Sequence, residues 1–448
     1  MDTKSSALSK SLSAALASRE TRWIRRRLPD PNTSSSDSPL IDFNSNDYLS
    51  LANSSKLRSH FLERLSSAPD VLGSGGSRLL VNGRAHAALE DRLAGFFGGE
   101  TALLFNSGFD ANVGFFSCIP QALDTIVHDE YIHASVHDGM RASRVPAGRK
   151  LAFAHNSLPD LRRLLSRLLS ESEGLRSGGS SLFLSVESLY SMDGTFAPLR
   201  EIADMLDEFL PFGNGYLVVD EAHSTGIYGP QGRGRVAQLG LEHRVLARLH
   251  TFGKALAATG AVIVTHTLIR DYLLNYARSL IYTTSLSYAN IIAADCSFDM
   301  LTDHTAQHLA NRLFELSSHF TDTLRPLLVS QNIPSTLVRL PSHLQLASLS
   351  STPPSPIIPV LTPHPRPLSA YLLALGMNAR PITWPTVPKG KDRVRVCLHA
   401  GNTKEDVDRL VDGIVRWAQE TLSQREREIK LVKGSRHSER ERFLESKL

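Results

Sequence analysis

The sequence predicts an α/β fold in which a large domain built on a mainly parallel sheet is followed by a smaller α+β domain. Short β-rich runs alternate with helical stretches through the middle of the chain, and polar residues or glycines bound each run. This βαβ rhythm is typical of a parallel sheet covered by helices. Beyond about residue 285 the rhythm changes, which indicates a second, smaller domain.

Short apolar runs in the first part of the chain are predicted as buried strands. They span residues 101–105, 125–128, 150–153, 181–186, 216–220 and 261–265. Helices are predicted at 86–97 and 158–169 from the spacing of their apolar residues. Ser157 and Asp160 are placed as a capping box at the start of the second helix.

The elements predicted downstream are less regular. A long helical stretch at 290–324 leads into a proline-rich segment at 350–367, and short strands near 394–398 precede a helix at 404–422. The chain is therefore divided into an N-terminal segment (1–70), a large domain (71–285), a small domain (286–423) and a charged tail (424–448).

Composition indicates an ordinary globular protein and excludes two classes. The 448 residues are 42% hydrophobic and 21% charged, which allows a large core. Residues 424–448 hold eight basic and five acidic side chains, and the rest of the chain holds 41 and 40, so the net charge of +4 resides mainly in the tail. The balanced body lacks the basic face of a nucleic-acid-binding protein. No apolar run reaches the roughly 20 residues of a membrane span.

The three cysteines predict neither a disulfide framework nor a metal site. Cys118, Cys296 and Cys397 are far apart and form no C-x-x-C pair. A reducing compartment is therefore expected.

The final tripeptide predicts a cellular location. Ser446-Lys447-Leu448 matches the S-K-L address that the peroxisomal import receptor reads. It follows a polar, helix-prone segment that would keep it accessible. We expect delivery to the peroxisome, with the cytoplasm as the alternative.

Lys254 and Asp220 point most directly to a chemistry. Lys254 follows a glycine, and a partly desolvated amine in such a position can form a Schiff base with an aldehyde. Asp220 ends an apolar strand, where ligands of parallel sheets bind, and a carboxylate there can keep a pyridine nitrogen protonated. The pair indicates pyridoxal 5'-phosphate, whose ring accepts electrons from a developing carbanion.

Further features are compatible with this cofactor. Gly108 and Phe109 open a predicted helix directly after a strand, so their N–H groups would face a phosphate at the positive end of the helix. His133 begins another predicted helix, where its ring can stack on an aromatic ring, and His223 lies three residues beyond Asp220. Each feature also has an ordinary explanation, such as a strand-to-helix turn or a solvent-facing histidine.

Two other motif interpretations fail. The run Gly73-Ser74-Gly75-Gly76-Ser77-Arg78 lacks the G-K-[ST] ending of a Walker A motif. Asp220-Glu221-Ala222-His223 matches the D-E-A-H of helicases, but no Walker A motif precedes it and no nucleic-acid signature accompanies it.

A series of motifs follows in order along residues 25–413. They lie at 43–49 (Phe-Asn-Ser-Asn-Asp-Tyr-Leu), 73–78, 106–112, 129–135, 190–194 (Tyr-Ser-Met-Asp-Gly), 219–226, 251–254, 282–285 and 385–388 (Pro-Thr-Val-Pro). In this order they resemble the α-oxoamine synthase family of fold-type I pyridoxal-phosphate enzymes.

The resemblance implies roles for individual residues. Lys254 would form the Schiff base and later act as the catalytic base, Asp220 would pair with the pyridinium, and His133 would stack on the ring. The other cofactor contacts would be His223 and Ser191 at the ring oxygen, and Gly108, Phe109 and Thr251 at the phosphate. The substrate contacts would be Arg25, Asn46, Ser77 and Thr386.

The resemblance also implies a partner subunit and a reaction. Segments 73–78 and 282–285 resemble those that complete the neighbouring subunit's site, so a homodimer is expected. Lys254, once displaced by the amino acid, would remove its α-proton, and the carbanion would attack an acyl-CoA thioester. Coenzyme A would leave, and loss of CO2 would yield an α-aminoketone.

Several substrate pairs are open within the family. They are L-alanine with a pimeloyl thioester, as in biotin synthesis, glycine with acetyl-CoA, glycine with succinyl-CoA, and serine with palmitoyl-CoA. Pro385-Thr386-Val387-Pro388 departs from the acetyl-CoA pattern, Ala222 departs from the succinyl-CoA pattern, and the lack of a membrane run disfavours the palmitoyl-CoA enzyme. The first pair is favoured, with either coenzyme A or a carrier protein as the acyl carrier.

A catalytically inactive scaffold subunit is the alternative from another class. Such subunits lose the Schiff-base lysine. Because Lys254, Asp220 and His133 are all present, an active enzyme is expected.

Overall fold

A computed structural model describes residues 6–22, 24–28, 40–345 and 354–445, with side chains described as far as residue 428. The chain forms two compact units, residues 1–40 and 41–448. The smaller unit contains helix α1 (Ala7–Thr21), whose N-cap Ser6 accepts the N–H of Ser9 at 3.1 Å. Within the described ranges, no helix combines the length and the apolar character needed to cross a membrane.

The larger unit contains the remaining elements. Its strands are β1 (Ile41–Asp42), β2 (Thr101–Phe105), β3 (Thr125–Asp129), β4 (Lys150–Phe153), β5 (Leu182–Glu187), β6 (Gly215–Asp220), β7 (Val245–Thr251), β8 (Ala261–Thr265), β9 (Ile357–Leu361), β10 (Met377–Asn378), β11 (Arg380–Ile382) and β12 (Arg393–Cys397). Its helices are α2 (Ser55–Ser67), α3 (Arg84–Phe97), α4 (Gly108–Cys118), α5 (Ala134–Ala142), α6 (Leu158–Glu171), α7 (Glu173–Arg176), α8 (Leu199–Phe209), α9 (Arg235–Gln238), α10 (Thr267–Tyr276), α11 (Arg278–Ile281), α12 (Tyr288–Thr302), α13 (Thr305–Ser330), α14 (Pro365–Ala374) and α15 (Lys404–Glu445).

A seven-stranded sheet with the order β2-β8-β7-β6-β5-β3-β4 forms the centre of this unit. Strands β3 to β7 are parallel to one another, whereas β8 is antiparallel to both of its neighbours. Leu217 and Val219 of β6 pack with α6 and α8 on one face, and Val218 packs with α4 and α5 on the other. Because both faces are buried, the strands are continuous apolar runs rather than alternating ones.

The parallel strands end at one edge of the sheet, and polar residues occupy their last positions. These residues are Asp129 in β3, Glu187 in β5, Asp220 in β6 and Thr251 in β7. In open α/β sheets, ligands bind outside the carboxyl ends of the strands. This edge is therefore the expected place for a site.

A second sheet lies in the C-terminal part of the unit. Strands β11, β12 and β9 form it in that order, all antiparallel, and β1 pairs separately with β10. Two arginines of β12 contact the loop that follows β5. Arg393 Nη1 donates to Met192 O at 3.0 Å, and Arg395 Nε donates to Ser191 O at 2.6 Å. These hydrogen bonds connect the second sheet to the edge of the first.

The predicted fold class is confirmed. Each predicted strand is present, with its ends shifted by no more than one residue. Ser157 Oγ caps α6 by accepting Asp160 N–H at 3.3 Å. The capping box is incomplete, because the Asp160 carboxylate accepts Ala154 N–H at 2.8 Å instead of the N–H of Ser157.

The structure corrects the predictions at several elements. The stretch 290–324 is two helices, because His304 adopts a left-handed conformation (φ 65°) between α12 and α13 and Asp303 caps Thr305 N–H at 2.9 Å. The proline-rich segment contains strand β9, and the helix predicted at 404–422 continues to Glu445 as α15. The division at residue 285 stays a prediction. The three cysteines are free and buried.

Candidate active site

Asp220, which is buried, and Lys254, which is half-buried, lie at the carboxyl edge of the sheet, where the charge of Asp220 acts on the Lys254 amine. Asp220 Oδ2 accepts a hydrogen bond from Asn112 Nδ2 at 2.8 Å, and its Oδ1 accepts from Ala222 N–H at 2.9 Å. Donors from α4 and from the turn after β6 thus hold the carboxylate in place.

Lys254 lies in the turn that follows β7. Its ammonium has no hydrogen-bond or ion-pair partner among the residues that the structure describes. Burial lowers the pKa of Lys254, while the charges of Asp220 and Glu187 oppose this shift. A lowered pKa increases the share of neutral amine near neutral pH, and the neutral amine is the nucleophile that a Schiff base requires.

An anion site lies at the N-terminus of α4. Ser107 Oγ caps this helix by accepting Asp110 N–H at 3.0 Å. The N–H groups of Gly108 and Phe109 have no acceptor in the described part of the chain. Thr251 lies beside them, since a Cβ on Gly108 would lie 3.5 Å from Thr251 Oγ1. Free N–H groups at the N-terminus of a helix as long as α4 can bind a phosphate group.

Two histidines flank the site, and both are neutral at neutral pH. His133 is the N-cap of α5, and its imidazole makes part-buried contacts with Ser135. Desolvation of the ring lowers its pKa, the charge of Asp220 opposes this shift, and the charge of Lys254 adds to it. His223 is buried, with Nδ1 2.7 Å from Tyr48 Oη. Burial, followed by the charges of Lys254 and Arg395, lowers the pKa of His223 well below its ordinary value.

Arg395 is a site residue that the sequence analysis missed. Besides Ser191 O, its guanidinium donates from Nη2 to Asn46 Oδ1 at 2.9 Å, and its side chain is almost fully buried. Its Nη1 has no partner in the ranges described. A buried guanidinium with an unused N–H edge is suited to bind a carboxylate. The two arginines of the buried strand β12 were the available signal.

Glu187 was missed as well. Its Cα pairs in register with that of Asp220, its side chain is 3% exposed, and Oε1 has no hydrogen-bond partner within the described structure. Burial, followed by the charge of Asp220, raises the pKa of Glu187 well above its ordinary value. Burial therefore favours the protonated, neutral form of this side chain. A second acidic residue at the end of an apolar strand was the signal.

A cavity of about 370 Å³ lies next to Ser191. Three loops line it, and their residues include Tyr131, Ser191, Trp384, Thr386 and Lys389. The loop with Ser191 depends on Gly194, whose φ is 64° and whose Cβ, if present, would lie 2.0 Å from Ile357 O. Ser191 and Thr386, predicted separately from the sequence, thus line one cavity.

The structure does not join every predicted site residue to this cluster. Asn46 contacts Arg395, but Ser77 has no described contact with the residues around Lys254. Its loop is instead held by Ser74 Oγ, which lies 2.7 Å from Ser285 Oγ. Arg25 belongs to the smaller unit, where Nη1 pairs with Glu20 at 3.3 Å. The roles of Arg25 and Ser77 stay predictions.

The donor set fits pyridoxal phosphate. A half-buried amine can hold the aldehyde, a carboxylate can hold the ring nitrogen, and free N–H groups at a helix N-terminus can hold the phosphate. The Thr251 hydroxyl, which lies beside Gly108, can add a further donor to that phosphate.

Comparison with known proteins identifies the family. The family model for aminotransferase class I and II matches residues 38–414. The chain belongs to the aminotransferase class I and II family. It is 44% identical to 8-amino-7-oxononanoate synthase of Emericella nidulans over 420 residues, 93% of this chain and 97% of that protein. It is 39% identical to aminoacyl transferase sphA of Aspergillus fumigatus, covering 85% of this chain and 82% of that protein.

A solved structure of known fold is also similar to this chain. Serine palmitoyltransferase of Sphingomonas wittichii is 25% identical, with a TM-score of 0.74, over 93% of this chain and 99% of that chain. The resemblance drawn from the motifs is confirmed, and the chain is an acyltransferase-type enzyme similar to 8-amino-7-oxononanoate synthase.

Proposed function

We propose that the chain condenses L-alanine with pimeloyl-CoA, or with a pimeloyl carrier protein, to give 8-amino-7-oxononanoate, the free carrier and CO2 in biotin synthesis. The 44% identity to 8-amino-7-oxononanoate synthase of Emericella nidulans, across 97% of that protein, carries this proposal. Asp220 and Lys254 together supply the chemistry that such a reaction needs.

The cofactor is pyridoxal phosphate, which a solved serine palmitoyltransferase structure of the same fold contains. When bound, it supplies an electron sink that stabilises negative charge on the α-carbon of an amino acid. The N–H groups of Gly108 and Phe109, with the Thr251 hydroxyl, would hold its phosphate. Asp220 would accept a hydrogen bond from its ring nitrogen.

The residues around it divide the remaining tasks. Lys254 would hold the aldehyde of the cofactor through Nζ, and as a free amine it would accept the α-proton of the amino acid at the same atom. Arg395 binds the carboxylate of the amino acid through its free Nη1 edge. His223 and Ser191 would lie near the ring oxygen, and His133 would cover the face of the ring.

The acyl chain occupies the cavity next to Ser191. Tyr131 and Trp384 give it apolar walls, and Thr386 lies on the same wall as Trp384. Lys389 Nζ lies 5.3 Å from the centroid of the Trp384 ring, where an ammonium can bind the distal carboxylate of a dicarboxylic acyl chain.

A thiol-release assay tests the proposal. The holoenzyme is given L-alanine, glycine or L-serine with each of pimeloyl-, acetyl-, succinyl- and palmitoyl-CoA, and mass spectrometry identifies the product. We expect the highest kcat/KM for L-alanine with pimeloyl-CoA and no thiol release by Lys254→Ala. Best turnover with glycine would contradict the proposal.

Serine with palmitoyl-CoA is the second candidate. The 39% identity to aminoacyl transferase sphA and the fold shared with serine palmitoyltransferase favour it. The same assay decides between the two, because a palmitoyl chain lacks the distal carboxylate. A preference for palmitoyl-CoA that persists in Lys389→Met would support this candidate.

We propose that the functional unit is a homodimer in which the loop containing Ser77 completes the partner's site. Leu72 and Leu80, which flank this loop, are about four-fifths exposed. Tyr282, three residues before Ser285, is also exposed. Exposed apolar residues of this kind mark protein interfaces. When the Lys254→Ala and Ser77→Tyr variants are mixed, the heterodimers that form should recover part of the activity. No recovery would contradict a site that both subunits build.

We propose delivery to the peroxisome through Ser446-Lys447-Leu448, which lies outside the described residues. Helix α15 extends as far as Glu445, directly before this tripeptide. A fluorescent reporter fused to residues 439–448 should enter peroxisomes, and the same reporter without Leu448 should stay diffuse. A diffuse pattern for both would reject the proposal.

A further inference from the structure

Two buried side chains, Ser135 and Asn112, connect His133 to Asp220. Ser135 Oγ lies 2.7 Å from His133 Nδ1, and Asn112 Nδ2 lies 3.0 Å from Ser135 Oγ and 2.8 Å from Asp220 Oδ2. Ser135 is 0% exposed and Asn112 is 4% exposed. We call these four residues, His133, Ser135, Asn112 and Asp220, the relay. It joins α4, α5 and the end of β6.

The direction of each hydrogen bond in the relay follows from its donors. The Asp220 carboxylate accepts, so one N–H of the Asn112 amide points to it and the other is free to point to Ser135 Oγ. The Ser135 hydroxyl is then left to donate to His133 Nδ1. That nitrogen also accepts the backbone N–H of Ser135 at 3.3 Å. A nitrogen that accepts from two donors carries no proton, so the proton of the neutral ring lies on Nε2.

The charges around His133 are consistent with a neutral ring. Burial lowers its pKa, Asp220 opposes this shift and Lys254 reinforces it. The other histidines that interact with it are His137 and His223, and burial lowers the pKa of both. The relay therefore controls which nitrogen of the ring is protonated rather than whether the ring is charged.

We propose that Ser135 and Asn112 are positioning residues that fix His133 as the Nε2–H tautomer and connect it to Asp220. A ring in this tautomer offers a hydrogen-bond donor to a ligand beside it, where the other tautomer would offer a lone pair. The donor suits an oxygen atom of the amino acid or the thioester. The inference rests on the proposed cofactor site but not on the identity of the acyl chain.

Nitrogen-15 NMR of holoenzyme labelled at histidine tests the inference directly, with His133→Gln used to assign the signal. We expect a protonated Nε2 and an unprotonated Nδ1 for His133 in the unmodified holoenzyme. Ser135→Ala removes one donor to Nδ1, and loss of one ordinary hydrogen bond should shift the ratio of the tautomers about 2- to 12-fold toward Nδ1–H. Asn112→Ala should shift it in the same direction.

A double variant and a matched control separate the relay from general damage. If Asn112 acts through Ser135, combining the two substitutions should shift the ratio no further than the larger single effect. Ser143→Ala is the control, because Ser143 lies at the other end of α5, donates only to Met140 O at 2.8 Å and is outside the relay. It should leave the His133 signal unchanged.

A pH titration of the cofactor's visible absorbance provides a second measurement. Ser135→Ala and Asn112→Ala should move its midpoint in the same direction, and Ser143→Ala should not move it. A protonated Nδ1 in the unmodified protein, or a Ser135→Ala signal identical to that of the control, would overturn the inference. If Ser135→Ala does not fold, Asn112→Ala interrupts the same relay and gives the same readout.

The outcome is distinguishable from failure of the proposed function. The tautomer is measured without any substrate, so it does not depend on which thioester the enzyme uses. Expected NMR signals together with no thiol release would reject the proposed function and leave the relay intact. The reverse result would reject the relay alone.

Discussion

Replacing Arg395 with lysine should weaken binding of the amino acid through its carboxylate. The guanidinium donates to Ser191 O at 2.6 Å and to Asn46 Oδ1 at 2.9 Å, which leaves Nη1 for the substrate. A lysine keeps the charge, but it cannot make these contacts and still offer a paired edge to a carboxylate.

The magnitude follows from the lost hydrogen bond. A hydrogen bond between charged groups is worth about 1.5–3 kcal/mol, so losing one should weaken L-alanine binding about 10- to 150-fold. L-alaninol has the same amine and methyl group but no carboxylate. Its affinity should therefore change by no more than about twofold, the scatter expected of an independent site.

Both affinities can be measured without turnover, by titrating the holoenzyme and following the cofactor's visible absorbance. Arg393→Lys is the matched control, because Arg393 is buried on the same strand but donates to Met192 O, at 3.0 Å, rather than to Asn46. It should leave L-alanine binding nearly unchanged. Equal weakening of L-alanine and L-alaninol in Arg395→Lys would refute the assignment, as would no weakening of either.

Two further predictions concern Lys254 and Gly194. Because burial lowers the pKa of Lys254, the rate at which apoenzyme recombines with cofactor should rise with pH and reach half its maximum below the ordinary lysine pKa of 10.5. Asp220→Asn removes the negative charge that opposes this shift, so it should move the midpoint to still lower pH. Stopped-flow absorbance measures the midpoint, and a midpoint that does not move would show that the charge of Asp220 does not act on Lys254. Gly194→Ala combines a left-handed backbone with a Cβ 2.0 Å from Ile357 O, so its free energy of unfolding should fall by more than the roughly 1–2 kcal/mol that a left-handed conformation costs. Gly213→Ala, with φ 72° and open space, is the control in denaturant unfolding and should show only that smaller loss, so equal losses would contradict the steric argument.

The residues that the sequence located correctly share a simple physical basis. Asp220 ends an apolar strand and Gly108 opens a helix after another, so strand and helix periodicity alone placed them at the carboxyl edge of the sheet. Lys254 follows the neighbouring strand β7, which brings it to the same edge. Local patterns were enough because parallel strands share one direction.

The residues that the sequence did not locate depend on contacts between distant segments. Arg395 reaches Ser191 only because the second sheet packs beside the first, which no local pattern encodes. Strand β7 was not among the predicted strands because Arg248 and His250 interrupt its apolar pattern. Both are buried by long-range contacts, since Arg248 Nη1 donates to Phe97 O at 2.7 Å and His250 stacks on the Phe97 ring at 3.7 Å.

Glu187 determines the charge of the site before the amino acid binds. Arg395 is a cation, and the Asp220 carboxylate accepts hydrogen bonds from two N–H donors. Burial raises the pKa of Glu187, so we expect its carboxyl group to be protonated. A protonated Glu187 adds no second anion that would repel the carboxylate of an amino acid. Glu187→Gln should leave the affinity for L-alanine unchanged in a spectroscopic titration, because it replaces one neutral group with another of similar shape. If Glu187 were ionised, removing its charge from this buried site would tighten L-alanine binding about tenfold or more, and that result would reject the argument.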